Sequence, residues 1–184
     1  MRTDAKSPQP GDSHPDGPQP DDTAARALAR ADAALEALRV RHLRRIGHVL
    51  PSTRIGVAAW PPAGRFGSKA RLTASWNYWW QAHLTDLLVD AAKLGDEQAV
   101  GEARALLRGI RIRNIGRWTN DYYDDMAWLA LAIERLDRHT APAAPLRHGR
   151  ALRIFTDVLY EPWLQELGGG IPWRTTDHFF NVPA

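Results

Sequence analysis

Apolar residues recur every three to four positions along five stretches of this chain, and no segment sustains an alternation of period two. Such spacing lines up one stripe of a helix, whereas a half-buried strand needs alternation. The fold class implied is all-α. The first stretch opens after Asp21, Asp22 and Thr23, whose side-chain oxygens can cap free helical N–H groups. Leu28, Ala31, Leu35, Leu38, His42 and Ile46 then predict a helix that frays near Gly47 and stops before Pro51. The second helix is expected over 75–94, with Trp76, Trp80, His83, Leu84, Leu87, Leu88 and Ala91 on a broad apolar face and Gly95 as its stop. The third is expected over 96–112, with Val100, Ala103, Leu107 and Ile110 inward and Arg104, Arg108 and Arg111 outward. A fourth over 120–138 and a fifth over 145–167 complete the set, the last kinked or ended by Pro162, which cannot donate a helical hydrogen bond. Broad apolar arcs on helices two to five suit a two-layer array in which inner helices are covered on both sides.

The chain of 184 residues has room for one domain and a tail. Residues 1–20 hold five prolines and two glycines and almost nothing apolar, so residues 1–21 read as a disordered tail and 22–184 as the domain. The absence of cysteine excludes a disulfide scaffold, a thiolate zinc site and a cysteine nucleophile. The longest strongly apolar run, 127–133, falls far short of the roughly 20 residues a membrane helix needs, so no membrane span is expected. The N-terminus has no apolar core behind its charges and reads as lacking a secretory signal, which as written points to the cytoplasm. Net charge is only +3, and Arg104, Arg108 and Arg111 read as a solvated face, so a nucleic-acid role resting on these with Arg113 and Arg117 is not expected.

The proline- and glycine-rich stretch 51–69 is expected to be a loop long enough to be functional. Its string Gly64-Arg65-Phe66-Gly67-Ser68-Lys69 has the wrong glycine spacing for a phosphate loop. No His/Asp/Glu spacing matches a metal site, no Gly-x-Ser-x-Gly elbow occurs, and no cofactor is called for.

The chemistry concentrates at Asn120-Asp121-Tyr122-Tyr123-Asp124-Asp125-Met126-Ala127-Trp128. Asp121 lies three and four residues before Asp124 and Asp125, so the three share one side of a helix, and Trp128 lies one turn beyond Asp124. Acidic residues at a helix start complement its dipole, which accounts for Asn120 and Asp121; the effect fades after the first turn and accounts poorly for Asp124 and Asp125. Crowded carboxylates beside an apolar helix push one pKa up while the other stays ionised, the division an acid and a nucleophile need. Retaining glycoside hydrolysis uses two carboxyl groups about 5–5.5 Å apart and inverting hydrolysis a wider gap; adjacency leans toward retention.

The same nine residues resemble the signature of glycoside hydrolase family 76, the α-1,6-mannanases. Tyr78-Trp79-Trp80-Gln81-Ala82-His83 resembles the family's Trp-Gln-rich second helix, and Gly168-Gly169-Gly170-Ile171-Pro172-Trp173 its glycine-rich loop after the fifth helix. The resemblance runs from about residue 25 to the end. It implies an (α/α)6 barrel, endo-hydrolysis of α-1,6-linked mannose chains with retention, Asp124 as nucleophile and Asp125 as acid/base. Carbohydrate is the implied partner. Trp79, Trp80, Gln81, Asn120, Asp121, Tyr123, Trp128, Gly169, Gly170 and Trp173 are the implied sugar contacts. For each tryptophan core packing is the rival reading, Gln81 could be an ordinary surface residue, and His83 reads as a hydrogen-bonded core histidine. A barrel of this kind has twelve helices and five or six are expected here, so the chain reads as the N-terminal half, a fragment whose own activity is in question. Family members usually act outside the cell. A mannan transglycosidase and a non-catalytic sugar-binding or interaction module are the alternative readings.

Overall fold

The computed structural model describes residues 20–46, 50–58, 76–141, 147–163 and 169–177. The expected tail lies outside them except for its last two positions, and the Gly64–Lys69 string lies outside them entirely. In chain order the described elements are α1 (Pro20–Arg41), β1 (Leu43–Arg44), β2 (Ile55–Gly56), α2 (Tyr78–Lys93), α3 (Ala99–Arg113), α4 (Tyr123–Thr140) and α5 (Gly149–Tyr160). The chain divides into two units, Met1–Leu38 and Arg39–Ala184. In the first, residues 22–34 of α1 are exposed, and Arg26 pairs with Asp22 one turn before it at 3.7 Å. The second unit holds every described element after α1.

Helices dominate as the periodicity predicts, but α1 ends at Arg41 instead of near Gly47. The residues after it find backbone partners elsewhere. The Val57 N–H donates to the His42 carbonyl (2.9 Å), and Leu43–Arg44 pairs antiparallel with Ile55–Gly56. The His42 ring Nδ1, facing a carbonyl that can only accept, donates to Val57 O at 2.7 Å. Two-residue strands are too short to leave an alternating pattern in a sequence.

The core joins α2 to α3 and α4, and α4 to α5, with β2 resting on α2 and α3. Leu88, Val89, Leu106, Leu107, Ile110, Met126, Leu129, Ile133, Leu136 and Phe155 are all buried. Each such side chain contributes roughly 1.5–3 kcal/mol through removal of apolar surface from water. The inward face of α3 is the expected one at Ala103, Leu107 and Ile110, although Arg104, expected outward, is part-buried with its Nε enclosed. Gly109 is required where Arg54 crosses α3: the Arg54 N–H donates to Ala105 O (2.9 Å), and a Cβ on Gly109 would fall 1.7 Å from the Arg54 carbonyl oxygen.

The expected face of α2 is corrected. Tyr78, Gln81, Ala82, Thr85, Leu88, Val89, Ala91 and Ala92 are buried, whereas Trp79, Trp80, His83 and Leu87 are exposed. The helix turns polar groups inward because they have partners there. Gln81 accepts from the Gly56 N–H through Oε1 (2.7 Å) and donates to the Gly56 carbonyl through Nε2 (2.9 Å), and Thr85 donates to the Gln81 carbonyl (2.8 Å). Gln81 is therefore a tie between α2 and β2, neither a sugar ligand nor a surface residue. Replacing Gln81 by Leu would leave both Gly56 backbone groups without partners in the interior, a loss of about 2 kcal/mol. A urea melt should record that loss; a Gln81→Leu chain as stable as the parent would mean that the Gly56 groups do not depend on the Gln81 amide.

The α5 boundaries also differ from those expected. Its start is set at His148, whose N–H donates to Asp137 Oδ2 (2.8 Å) and whose ring Nδ1 lies 2.6 Å from Asp137 Oδ1, while Asp137 itself is 2 % exposed. Its end at Tyr160 precedes Pro162, as the missing proline N–H requires.

Candidate functional site

Two helix starts and one irregular segment meet around a cleft of about 540 Å3. The start of α2 brings Trp76, Asn77, Tyr78, Trp79 and His83; the start of α4 brings Asn120, Tyr122, Asp124, Asp125 and Trp128; the segment 169–177 brings Trp173. Helix starts carry unpaired N–H groups and the positive end of the dipole, which favour carboxylates and other oxygen-rich groups.

Local sequence explains how α4 presents its acids. Asn120 Oδ1 accepts from the Tyr122 N–H (3.1 Å), a tight turn that delays the helix from the expected Asn120 to Tyr123. Tyr122 is extended and forms an antiparallel bridge with Arg174. The Tyr123 N–H donates to Trp173 O (3.1 Å) and the Thr175 N–H to Asp121 O (3.0 Å), so 173–175 runs along the helix entrance and is fastened to it through backbone. Asp124 and Asp125 then fall in the first turn of α4.

The two carboxyls face different surroundings. Asp124 Oδ1 accepts from the Asp125 N–H (2.9 Å) and Oδ2 from the Trp173 indole N–H (3.2 Å). Asp125 Oδ2 accepts from the Asn120 amide at 2.7 Å. Burial pushes the Asp125 carboxyl above the usual carboxylate range; the Asn120 hydrogen bond opposes this, the Asp124 charge adds to it, and His83 opposes it. Behind Asp125, Tyr78 is buried and donates its hydroxyl to the Trp118 carbonyl. Burial, and then the Asp125 charge, push the Tyr78 phenol up, so it remains a donor.

Flat aromatic surface lines the rest. Trp79 and Trp128 are 45 % and 47 % exposed, and His83 lies between them, its ring 5.7 Å from Trp79 and 5.0 Å from Trp128. An exposed indole leaves a large apolar face in water, and here two such faces open beside a carboxyl pair. Among the described residues, no cluster of three or more His, Asp and Glu could hold a metal, and no helix is long and apolar enough to cross a membrane.

Of the expected site residues, Asp124, Asp125, Trp79, Asn120, Trp128 and Trp173 share this cleft. The others do not line it. Gln81 is buried against Gly56. Trp80 sits on the far side of Trp79, the rings 5.5 Å apart at 73°. Asp121 is exposed and engaged through its carbonyl, and Tyr123 is engaged through its N–H. Gly169, at φ +83°, backs onto Trp163, where a Cβ would meet the ring at 2.6 Å; Gly170 comes next at φ 146°. Their glycine character serves backbone shape and close packing. Trp76, Asn77, Tyr78, His83 and Tyr122 also line the cleft, although the sequence pattern does not mark them as sugar contacts. Trp79 and His83 are four apart in sequence, so a shared face was legible for that pair.

No family model and no curated protein matches the chain. Solved structures do. The α-1,6-mannanase GH76A from Salegentibacter sp. HEL1_6 is similar over 79% of this chain with 25% sequence identity and a TM-score of 0.63. An inactive variant of that mannanase, substituted to Asn at two adjacent aspartates and in complex with α-1,6-mannotriose, is similar over 79% of this chain with 24% identity and a TM-score of 0.63. The Lin0763 protein from Listeria innocua is similar over 78% of this chain with 25% identity and a TM-score of 0.59. The chain spans 38% of the length of each. The resemblance to family 76 read from the sequence thus holds in three dimensions, and the fold is all-α, of the (α/α)6 barrel type and amounting to part of such a barrel. It is a glycoside-hydrolase-like fold.

Proposed function

We propose that the chain carries the catalytic carboxyls of a retaining, endo-acting glycoside hydrolase directed at α-1,6-linked mannan. The observation that carries this reading is the pairing of Asp124 and Asp125 in one cleft with unlike surroundings, flanked by exposed indoles. Asp124, directed by two N–H donors, is the nucleophile; burial favours the protonated form of Asp125, the form able to give a proton to the departing oxygen. An Asp124 oxygen attacks the anomeric carbon while the bond to the departing sugar oxygen breaks and the Asp125 proton passes to that oxygen. The Asp125 carboxylate next takes a proton from water, whose oxygen attacks the same carbon and releases Asp124. Two inversions give retention. Trp79 and Trp128 offer their rings to the apolar faces of the mannose units. The mannanase whose inactive forms carry substitutions at two adjacent aspartates, one form bound to mannotriose and another to mannotetrose, supports assigning the adjacent pair here the same importance.

The test is proton NMR of α-1,6-mannan incubated with the chain. Internal cleavage with the α-anomer appearing first is the expected result; the β-anomer first would replace retention with inversion. Added acceptor sugar separates hydrolysis from transfer. One second reading, a non-catalytic mannan-binding module, rests on the exposed indoles of Trp79 and Trp128, which can take a sugar face without any use of the acids. Mannotriose binding without any cleavage would select it.

A further inference from the structure

We propose that Trp173 is a positioning residue that holds the Asp124 carboxylate through its indole N–H, instead of a platform on which sugar stacks. The proposal rests on the reading of Asp124 as nucleophile and adds how that group is aimed. Three observations carry it. The indole Nε1 donates to Asp124 Oδ2 at 3.2 Å while the Asp125 N–H takes Oδ1 at 2.9 Å, so each oxygen has its own donor and the carboxylate is held in one orientation. The ring is already engaged: Tyr122 packs against it at 5.3 Å and 64°, and the Arg174 guanidinium lies 5.5 Å from its centre. It is part-buried, unlike Trp79 and Trp128, which leave nearly half their surface to the cleft. Finally, the residue is fastened by its own backbone. Its carbonyl accepts the Tyr123 N–H (3.1 Å), its neighbour Arg174 bridges to Tyr122, and Arg174 is braced on Asp177 at 2.9 Å. The indole is therefore fixed relative to the helix turn that bears Asp124, as a part that aims a nucleophile must be.

The decisive substitution is Trp173→Phe, which keeps a ring and removes the N–H. With the full chain and α-1,6-mannan, kcat should fall at least tenfold while KM and mannotriose affinity stay within about twofold, since the lost interaction aims the nucleophile and does not hold the sugar. A tenfold loss of mannotriose affinity with kcat retained would overturn the proposal in favour of a stacking role. A second measurement needs neither turnover nor the Phe variant. In a proton–nitrogen spectrum with assigned tryptophan indoles, the Trp173 N–H signal should move more than any other on Asp124→Asn and barely on Asp125→Asn. A Trp173 signal indifferent to Asp124→Asn would also overturn the proposal. Should the unaltered chain leave mannan uncut, the hydrolase reading fails by itself, and the indole signal still decides whether Trp173 holds Asp124.

Discussion

Asp124→Asn should reduce cleavage of α-1,6-mannan by about four orders of magnitude while leaving the fold and mannotriose binding in place. The amide is nearly isosteric. Its oxygen can still accept one of the two N–H donors that face Asp124, from Asp125 and from Trp173. What disappears is a negatively charged oxygen able to form a bond to the anomeric carbon, and no other described carboxylate in the cleft can replace it, because Asp125 must carry a proton for the same step. Unaltered circular dichroism and a mannotriose affinity within a few-fold of the parent would show that the loss is chemical. Turnover within tenfold of the parent would remove Asp124 from the mechanism and leave the pair as helix-start decoration.

Helices were legible in the sequence because each long stretch repeats its apolar residues at helical spacing, and the inward face of α3, with Ala103, Leu107 and Ile110, was legible for the same reason. The rotation of α2 was not. Gln81 and Thr85 count as outward residues in any apolar pattern, and only the approach of Gly56 gives the Gln81 amide a buried partner at both ends. Trp80 and His83 were correspondingly misplaced: both were expected on the buried face of α2, and both are exposed. The acid pair stood out because Asp125 follows Asp124 just where a helix turns apolar; the delayed helix start puts both in the first turn of α4, where the dipole favours acids after all, so what distinguishes them is the cleft they share and not their distance from the helix end. The delayed start of α4 was only partly legible: the Asn120 turn is local, but the bridge that keeps Tyr122 extended comes from Arg174, 52 positions away. The contact of Trp173 with Asp124 was hidden for that reason too, the two lying 49 positions apart. A resemblance by block names a residue without saying whether its ring or its N–H is the working part.

Asp125→Asn tests the other half of the pair and should separate activity from stability in a way that depends on pH. As the proton donor, Asp125 must be protonated when the sugar oxygen departs, so turnover of mannan should fall as pH rises through its elevated pKa. In Asp125→Asn that limb should vanish along with most of the turnover, about a thousandfold. Substrates bearing an acidic phenol as leaving group need little protonation and should lose far less in forming the glycosyl intermediate; added azide, which attacks without a general base, should then speed its release. Stability should move oppositely. A carboxyl whose folded-state pKa is raised contributes favourably while it is protonated, and that contribution fades as pH rises through the folded value. Above its raised pKa the folded protein keeps a part-buried ionised Asp125 beside Asp124, and Asp125→Asn relieves it while preserving an oxygen for the Asn120 amide. The variant should melt at a higher temperature than the parent on the alkaline side of that raised pKa, and the gap should close as pH falls into the range where Asp125 is protonated. A gap that stayed constant across that range would mean that Asp125 does not titrate differently in the folded chain, and the acid/base assignment would lose its physical basis.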